Sequence, residues 1–327
     1  MTAARGTAAG PSATGAGAVT IDPVAPDFAD LTDPYRGEIL AHCYRLLGAR
    51  HDAEDAVQDT YVRAWRGFTA FEGRSSIRRW LYVIATRVCL TALESRSRRP
   101  MPSGLGPPGE GPGTEPPLDL DWLEPLPDAL LRHERATPES VVAAHAGIRL
   151  AFTVALQVLP ARQRAALILA DVLGWPASEV AEVLGTSRAG VHSALQRARA
   201  RLETLGVAVD DVTEPDDAAT RILLDRYADA FARADVAPLV DLLREDVVLE
   251  MPPIPTWFRG RDAVLAFLER RVLREPGRWT LTPIRSNAQP AFAVHENGAA
   301  HGVHIMTITG GRIGRITAFN DPRALAR

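Results

Sequence analysis

Apolar residues recur at helical spacing in two blocks of the chain and in alternation in a third. In the first block, residues 30–99, Ile39, Cys43 and Leu46 or Leu47 lie three or four apart. Asp33-Pro34 precedes them as a helix start and Gly48 ends the run. A second helix opens near Asp52, with Val57, Tyr61 and Trp65 at i, i+4 and i+8. Its first two turns carry Asp52, Glu54, Asp55, Gln58 and Asp59, a polar and acidic load suited to the positive end of a helix dipole. A third helix is expected over about 76–95, where Ile77, Trp80, Leu81, Ile84, Val88 and Leu93 form a core stripe and Arg78, Arg79, Arg87 and Arg96 a basic one.

The second helical block covers 138–206. Leu150, Val154 and Leu156 lead into Leu159-Pro160 and a helix over 165–173. After Gly174-Trp175-Pro176, residues 177–184 read as a short helix, Gly185-Thr186-Ser187 as a tight turn and 188–201 as a second helix, a helix-turn-helix. The third block, 218–327, begins with an amphipathic helix on Leu223, Tyr227, Ala230 and Phe231, followed by short helices over 236–243 and 260–273. Strands are expected over 279–284, 291–295, 302–309 and 312–319, the last two joined at Gly310-Gly311. The fold class is therefore multidomain: two all-α modules, the second with a helix-turn-helix, followed by an α+β domain.

The connecting segments have their own composition. Residues 1–26 are rich in Ala, Gly, Thr and Pro and are expected to form a disordered tail. Residues 100–137 form a Pro/Gly-rich acidic linker, with nine prolines between 100 and 127. Within it Trp122-Leu123-Glu124-Pro125-Leu126-Pro127 is an apolar island, and a large tryptophan there is expected to dock. A second, acidic linker spans 207–217.

Charge narrows the function. A net charge of -3 over 327 residues excludes a uniformly basic nucleic-acid binder, so any such contact must come from local patches. One exists: from Arg74 to Arg99 there are seven arginines and one acid, Glu94. All basic residues are arginine, whose planar donor fork suits phosphates and guanine edges. Cys43 and Cys89 sit in helical patterns without metal-ligand spacing, as in a reducing compartment. No apolar run approaches the ~20 residues of a membrane span, and the expected location is the cytoplasm, with no membrane contact.

Three segments carry a family resemblance. The acidic helix Asp52-Ala53-Glu54-Asp55-Ala56-Val57-Gln58-Asp59-Thr60-Tyr61 resembles the polymerase-binding helix of region two in extracytoplasmic-function sigma factors. The stretch Phe71-Glu72-Gly73-Arg74-Ser75-Ser76 with Arg78-Arg79-Trp80-Leu81-Tyr82 resembles that family's minus-ten melting segment. The helix-turn-helix resembles region four, which reads the minus-thirty-five element. The resemblance implies a transcription initiation factor without catalysis of its own. Its partners would be core RNA polymerase, through the β′ clamp helices and β flap, and promoter DNA. It implies polymerase contacts at Asp52, Glu54, Asp55, Gln58 and Asp59. Minus-ten contacts would come from Phe71, Gly73, Arg74, Ser75, Arg78, Arg79 and Arg87, and minus-thirty-five contacts from Arg188, His192, Ser193, Gln196, Arg197 and Arg199. Trp80 is either an aromatic platform of that segment or, by its spacing with Ile77, Leu81 and Ile84, part of the core.

The C-terminal block resembles the cone-shaped SnoaL-like domains, which implies regulation in cis and leaves open an unknown small-molecule ligand. Trp257, in the proline-rich stretch 251–260, rims a pocket or packs against the helical modules; Trp122 is the linker's docking candidate. His301 and His304, three apart on a strand, should point to opposite faces and so not converge on one ion. Glu250, Asp241 and His295 are acid or base candidates with no motif to single them out, and no cofactor or metal is expected. The alternative is a ligand-responsive DNA-binding regulator that uses only the helix-turn-helix.

Overall fold

A computed structural model describes residues 27–94, 99–205 and 218–325. The expected disordered tail and second linker lie outside the described residues. The first helical module comprises α1 (Phe28–Thr32), α2 (Arg36–Leu47), α3 (Arg50–Gly67) and α4 (Ile77–Leu93). Helix α2 differs from the one-sided helix its apolar spacing predicts: eleven of its twelve residues are buried. Its polar side chains are matched from outside. Arg78 donates to Glu38 through Nε and Nη2, Tyr82 Oη donates to the same carboxylate at 3.0 Å, and His42 Nε2 lies 2.8 Å from Thr86 Oγ1. Gly48 ends the helix at φ 75°, and a Cβ there would come within 2.8 Å of the Gln157 side chain. Both the left-handed backbone and the close approach demand glycine.

The second helical module contains α5 (Pro138–His145), α6 (Leu150–Gln157), α7 (Ala161–Leu167), α8 (Ala177–Leu184) and α9 (Arg188–Thr204); α7 widens into a π turn over Ile168–Val172. One apolar core, running from Ile39 to Leu202, serves both modules. Two buried arginines stitch them. Arg45 of α2 donates to the carbonyls of Ala143, Ala144 and Ala146 at the C-terminal end of α5, where a cation is favoured. Arg164 of α7 donates to the carbonyl of Leu46 and to Gln157 Oε1. Burial lowers the Arg45 pKa to about 10.

The C-terminal domain has α10 (Ala218–Arg233), α11 (Leu239–Leu242) and α12 (Arg261–Phe267) over a six-stranded sheet. Its strands are β1 (Leu243–Met251), β2 (Ile254–Arg259), β3 (Trp279–Ser286), β4 (Gln289–Glu296), β5 (Ala299–Thr309) and β6 (Arg312–Phe319), in the order β2-β1-β6-β5-β4-β3. Only the β1–β6 pair is parallel. Strands β1 and β2 escape a period-two reading because residues 247–251 are all buried and prolines interrupt the run. One face of the sheet encloses Tyr227, Phe231 and Phe292, with Tyr227 stacked 5.8 Å from Phe292. The other face meets the rest of the chain: Ala291, Val303, Ile305 and Phe319 pack with Met101 and Leu123 of the linker and Leu150 of α6.

The linker is docked along its length. Gly109 N–H donates to the Trp257 carbonyl at 2.7 Å and Leu118 N–H to the Pro253 carbonyl at 3.0 Å, so the segment covers β2, an edge strand. The clasp between modules is the β3–β4 turn. Asn287, fully buried at φ 55°, donates through Nδ2 to Tyr44 Oη and the Ile148 carbonyl, both at 2.8 Å. Its Oδ1 accepts from Leu126 N–H at 2.9 Å, and beside it Ala288 N–H reaches Asp128 and Gln289 Oε1 accepts from Leu150 N–H. One side chain thus touches the first module, the linker and the segment that opens the second.

Two buried histidines make stability depend on pH. Burial lowers the pKa of His42 to about 3, and burial together with His301 lowers that of His304 to about 3. The unfolded chain therefore takes up protons below its ordinary histidine pKa while the folded chain does not. Stability is full above that value and falls as pH descends. Going from pH 7.5 to 5 should cost about 2 kcal/mol per histidine. Chemical denaturation at the two pH values measures this, and His42→Gln should remove roughly half of the difference.

Candidate nucleic-acid interface

Three exposed surfaces gather most of the residues singled out in the sequence. The first lies where α3 ends and α4 begins. Ser76 caps α4 by accepting from Arg79 N–H at 3.2 Å, and the preceding loop turns at Gly73 with φ 68°. The loop and the two helices enclose an open cleft of about 510 Å³ lined by Arg63, Phe71, Arg74, Ser75, Trp80 and Arg87, among others. Phe71 and Trp80 stand 4.8 Å apart, ring to ring. Flat rings beside arginines are what an unstacked base and its phosphates require. Trp80 serves both of its expected roles: half-buried, it packs against the helical core and forms the cleft wall. The signal that reveals it is a second aromatic, Phe71, just ahead of the glycine loop.

Two arginines of this set are engaged elsewhere. Arg78 turns inward to Glu38, whose hydrogen bond raises the guanidinium pKa. Arg79 is ion-paired with Glu179 of α8, and its guanidinium lies 4.5 Å from the Trp175 ring. Arg74 and Arg87 stay exposed, Arg74 beside Glu72 at 3.2 Å.

The second surface is one face of α3. Asp55, Gln58 and Asp59 are exposed, whereas Glu54 is half-buried beside Arg50 at 3.9 Å. Asp52 is different: it is 4 % exposed and ion-paired with the buried Arg99. It cannot be a surface contact in this fold. Trp65 corrects the sequence reading in the other direction, being 66 % exposed rather than on the core face, with Val62 exposed one turn before it. Counting from Asp55, these two continue the polar stripe at helical spacing.

The third surface is α9. Gly185 ends α8 at φ 59°, and Ser187 caps α9 by accepting from Gly190 N–H at 3.1 Å. Val191, Leu195, Ala198 and Leu202 hold the helix to its core. Arg188, His192, Ser193, Gln196 and Arg197 face outward. Arg199 is also exposed but forms a two-pronged pair with Asp171, at 2.9 and 2.7 Å.

The tail candidates prove to be contacts between parts of the chain. Trp257 is buried and donates from Nε1 to the Gly106 carbonyl at 2.9 Å; Trp122 is buried and donates to the Leu118 carbonyl. Glu250, an acid candidate, is buried against Arg315 at 2.6 Å and accepts from Ser103 N–H. The strict alternation assumed for His301 and His304 fails. Val294 pairs with Gly302 but His295 with Ala300, so His301 is an extra residue in a bulge, set against Trp279 and Glu296. Among the described residues no three His, Cys, Asp or Glu side chains gather in a metal-binding arrangement, and no single helix is long and apolar enough to cross a membrane.

Comparison with known proteins matches the three parts in order. Residues 31–99 fit sigma-70 region 2, residues 149–202 sigma-70 region 4, and residues 224–316 a SnoaL-like domain. The ECF RNA polymerase sigma factor SigG of Mycobacterium tuberculosis is 43% identical over 303 residues, 90% of this chain and 81% of that protein. The chain belongs to the extracytoplasmic-function RNA polymerase sigma factors. A second such factor from that organism, SigJ, is 30% identical over 241 residues, 71% of this chain and 69% of that one. The crystal structure of SigJ aligns with a TM-score of 0.60 at 25% identity, covering 90% of this sigma factor and 96% of that chain. The succession of two helical modules and an α+β domain thus recurs in a sigma factor with the same order of parts.

Proposed function

We propose that this sigma factor recruits core RNA polymerase through α3, opens the minus-ten element at the cleft of α4 and reads an upstream element with α9, while its tail regulates these steps in cis. The carrying observation is the open cleft that sets Phe71 and Trp80 among Arg63, Arg74 and Arg87. A regulator that used only the helix-turn-helix would need neither this cleft nor the acidic stripe beside it. The tail is assigned a docking role and no catalysis: its cone is filled by its own aromatic side chains, and its outer face by linker and α6. The place of action is the cytoplasm, where polymerase works on the chromosome.

Run-off transcription with purified core polymerase on a genome-derived promoter library tests this directly. Specific start sites that depend on the protein are the expected result; none, together with no binding to core, would leave the DNA-binding regulator. The α3 stripe makes its own prediction. Asp55→Arg with Asp59→Arg should weaken core binding about tenfold or more, since charge complementarity steers and registers such contacts. Trp65→Ala should weaken it by a similar factor, because exposed tryptophans at interfaces tend to be the anchors. A fluorescence titration with labelled core reads both, and unchanged affinity in both would remove α3 as the recruiting helix.

A further inference from the structure

In the folded chain the three candidate surfaces are not equally available. Asp55, Gln58 and Asp59 face solvent, as do His192, Ser193, Gln196 and Arg197 of α9. Among the described residues, Arg79 is ion-paired with the other helical module. It sits in the first turn of α4, one residue before Trp80 of the cleft, so a strand leaving the cleft across α4 would meet it next. Here its guanidinium lies over the Trp175 indole and pairs with the Glu179 carboxylate. A flat ring under an arginine and an anion at its donor fork are the two features that a nucleotide presents to an arginine. The same residues fix the domain arrangement: Tyr82, three residues after Arg79, meets the Trp175 ring edge-on at 6.0 Å.

We infer that Trp175 and Glu179 form an internal nucleotide mimic, which occupies Arg79 and keeps the minus-ten strand from it while the two helical modules are packed together. The tail holds that packing through Asn287, which bridges Tyr44 of the first module and the Ile148 carbonyl ahead of α6. The cis control therefore acts at DNA engagement and leaves polymerase recruitment open. This rests on the sigma-factor reading above. The mimic is shallow: the Arg79 and Glu179 side chains are 27% and 32% exposed, so it is easily displaced once the modules part. Polymerase binding, which uses a surface exposed in the closed chain, can come first, and separation of the modules on the enzyme then releases Arg79.

The test uses the full-length protein and a fluorescein-labelled, mixed-sequence single-stranded DNA of about 20 nucleotides, followed by anisotropy at fixed salt. Glu179→Gln should tighten binding about five- to tenfold, as expected for loss of one exposed ion pair beside a cation–π contact. Glu182→Gln, which removes an exposed charge from the same helix, should not. Adding Arg79→Ala to Glu179→Gln should erase the gain, and Asn287→Gly should give a gain of its own that Arg79→Ala also erases. Affinity for labelled core polymerase should be the same in Glu179→Gln as in the parent. No gain with Glu179→Gln, an equal gain with Glu182→Gln, or a gain that survives Arg79→Ala would each overturn the mimic. Lack of a gain with Asn287→Gly would overturn the tail's part in it. If the parent protein neither binds core nor supports run-off transcription, the sigma-factor reading fails instead, and the DNA titrations still report on Arg79.

Discussion

Asp52→Asn is expected to lower the unfolding free energy of the helical half by about 3–5 kcal/mol, the effect of stranding one partner of a buried ion pair. Arg99 is 8 % exposed and holds three elements at once. It donates from Nε to the Leu47 carbonyl at the end of α2, from Nη1 to the Trp122 carbonyl of the linker, and from Nη2 to Asp52 at the start of α3. An asparagine in place of the carboxylate leaves the guanidinium in the interior without its counter-charge. Denaturant melts followed by near-ultraviolet circular dichroism measure the loss. Asp55→Asn, on the exposed face of the same helix, should stay within about 0.5 kcal/mol of the parent. Equal stability of Asp52→Asn and the parent would show that the pair does not form.

Asn287→Gly should loosen the junction of all three domains by about 3 kcal/mol, since it deletes three buried hydrogen bonds and strands Leu126 N–H and the Ile148 carbonyl. Glycine keeps the positive φ, so this variant isolates the side chain. Asn287→Ala should cost about 1 kcal/mol more, because alanine resists the left-handed backbone. Hydrogen exchange at Leu126 is the direct readout: the amide should exchange faster in both variants, while amides of α9 stay protected. An unchanged Leu126 rate would mean that the clasp is held elsewhere.

The sequence makes the α4 helix, the helix-turn-helix and four of the six strands legible: the helices each keep one dry face, and the strands are bounded by turn residues, with Gly310-Gly311 joining the last two. It fails at two elements that are buried on more than one side. The central helix α2 looks one-sided from the spacing of Ile39, Cys43 and Leu46, yet Glu38, His42 and Arg45 are each buried against a partner from another element. Strand β1 hides for the same reason, buried on both faces toward its end. At the candidate interface, the acidic and basic residues are visible in the sequence, but not which of them the fold has already neutralised. Asp52, Arg78 and Arg79 carry the same charges as Asp55, Arg74 and Arg87, and only the long-range partners Arg99, Glu38 and Glu179 separate the two groups. Asn287 left no periodic trace, being a turn residue whose partners lie more than a hundred positions away.

The linker's path along β2 bears on what becomes of the tail when it is separated from the rest. Residues 105–118 cover an edge strand, and Leu123 and Leu150 cover the outer face of the same sheet. A tail cut loose would present an unpaired strand edge and an apolar sheet face together, the combination that drives strands of neighbouring molecules to join. The proline-rich segment therefore shields the strand edge it lies along. Solubility of an isolated tail is expected to be higher when that segment is carried along with it.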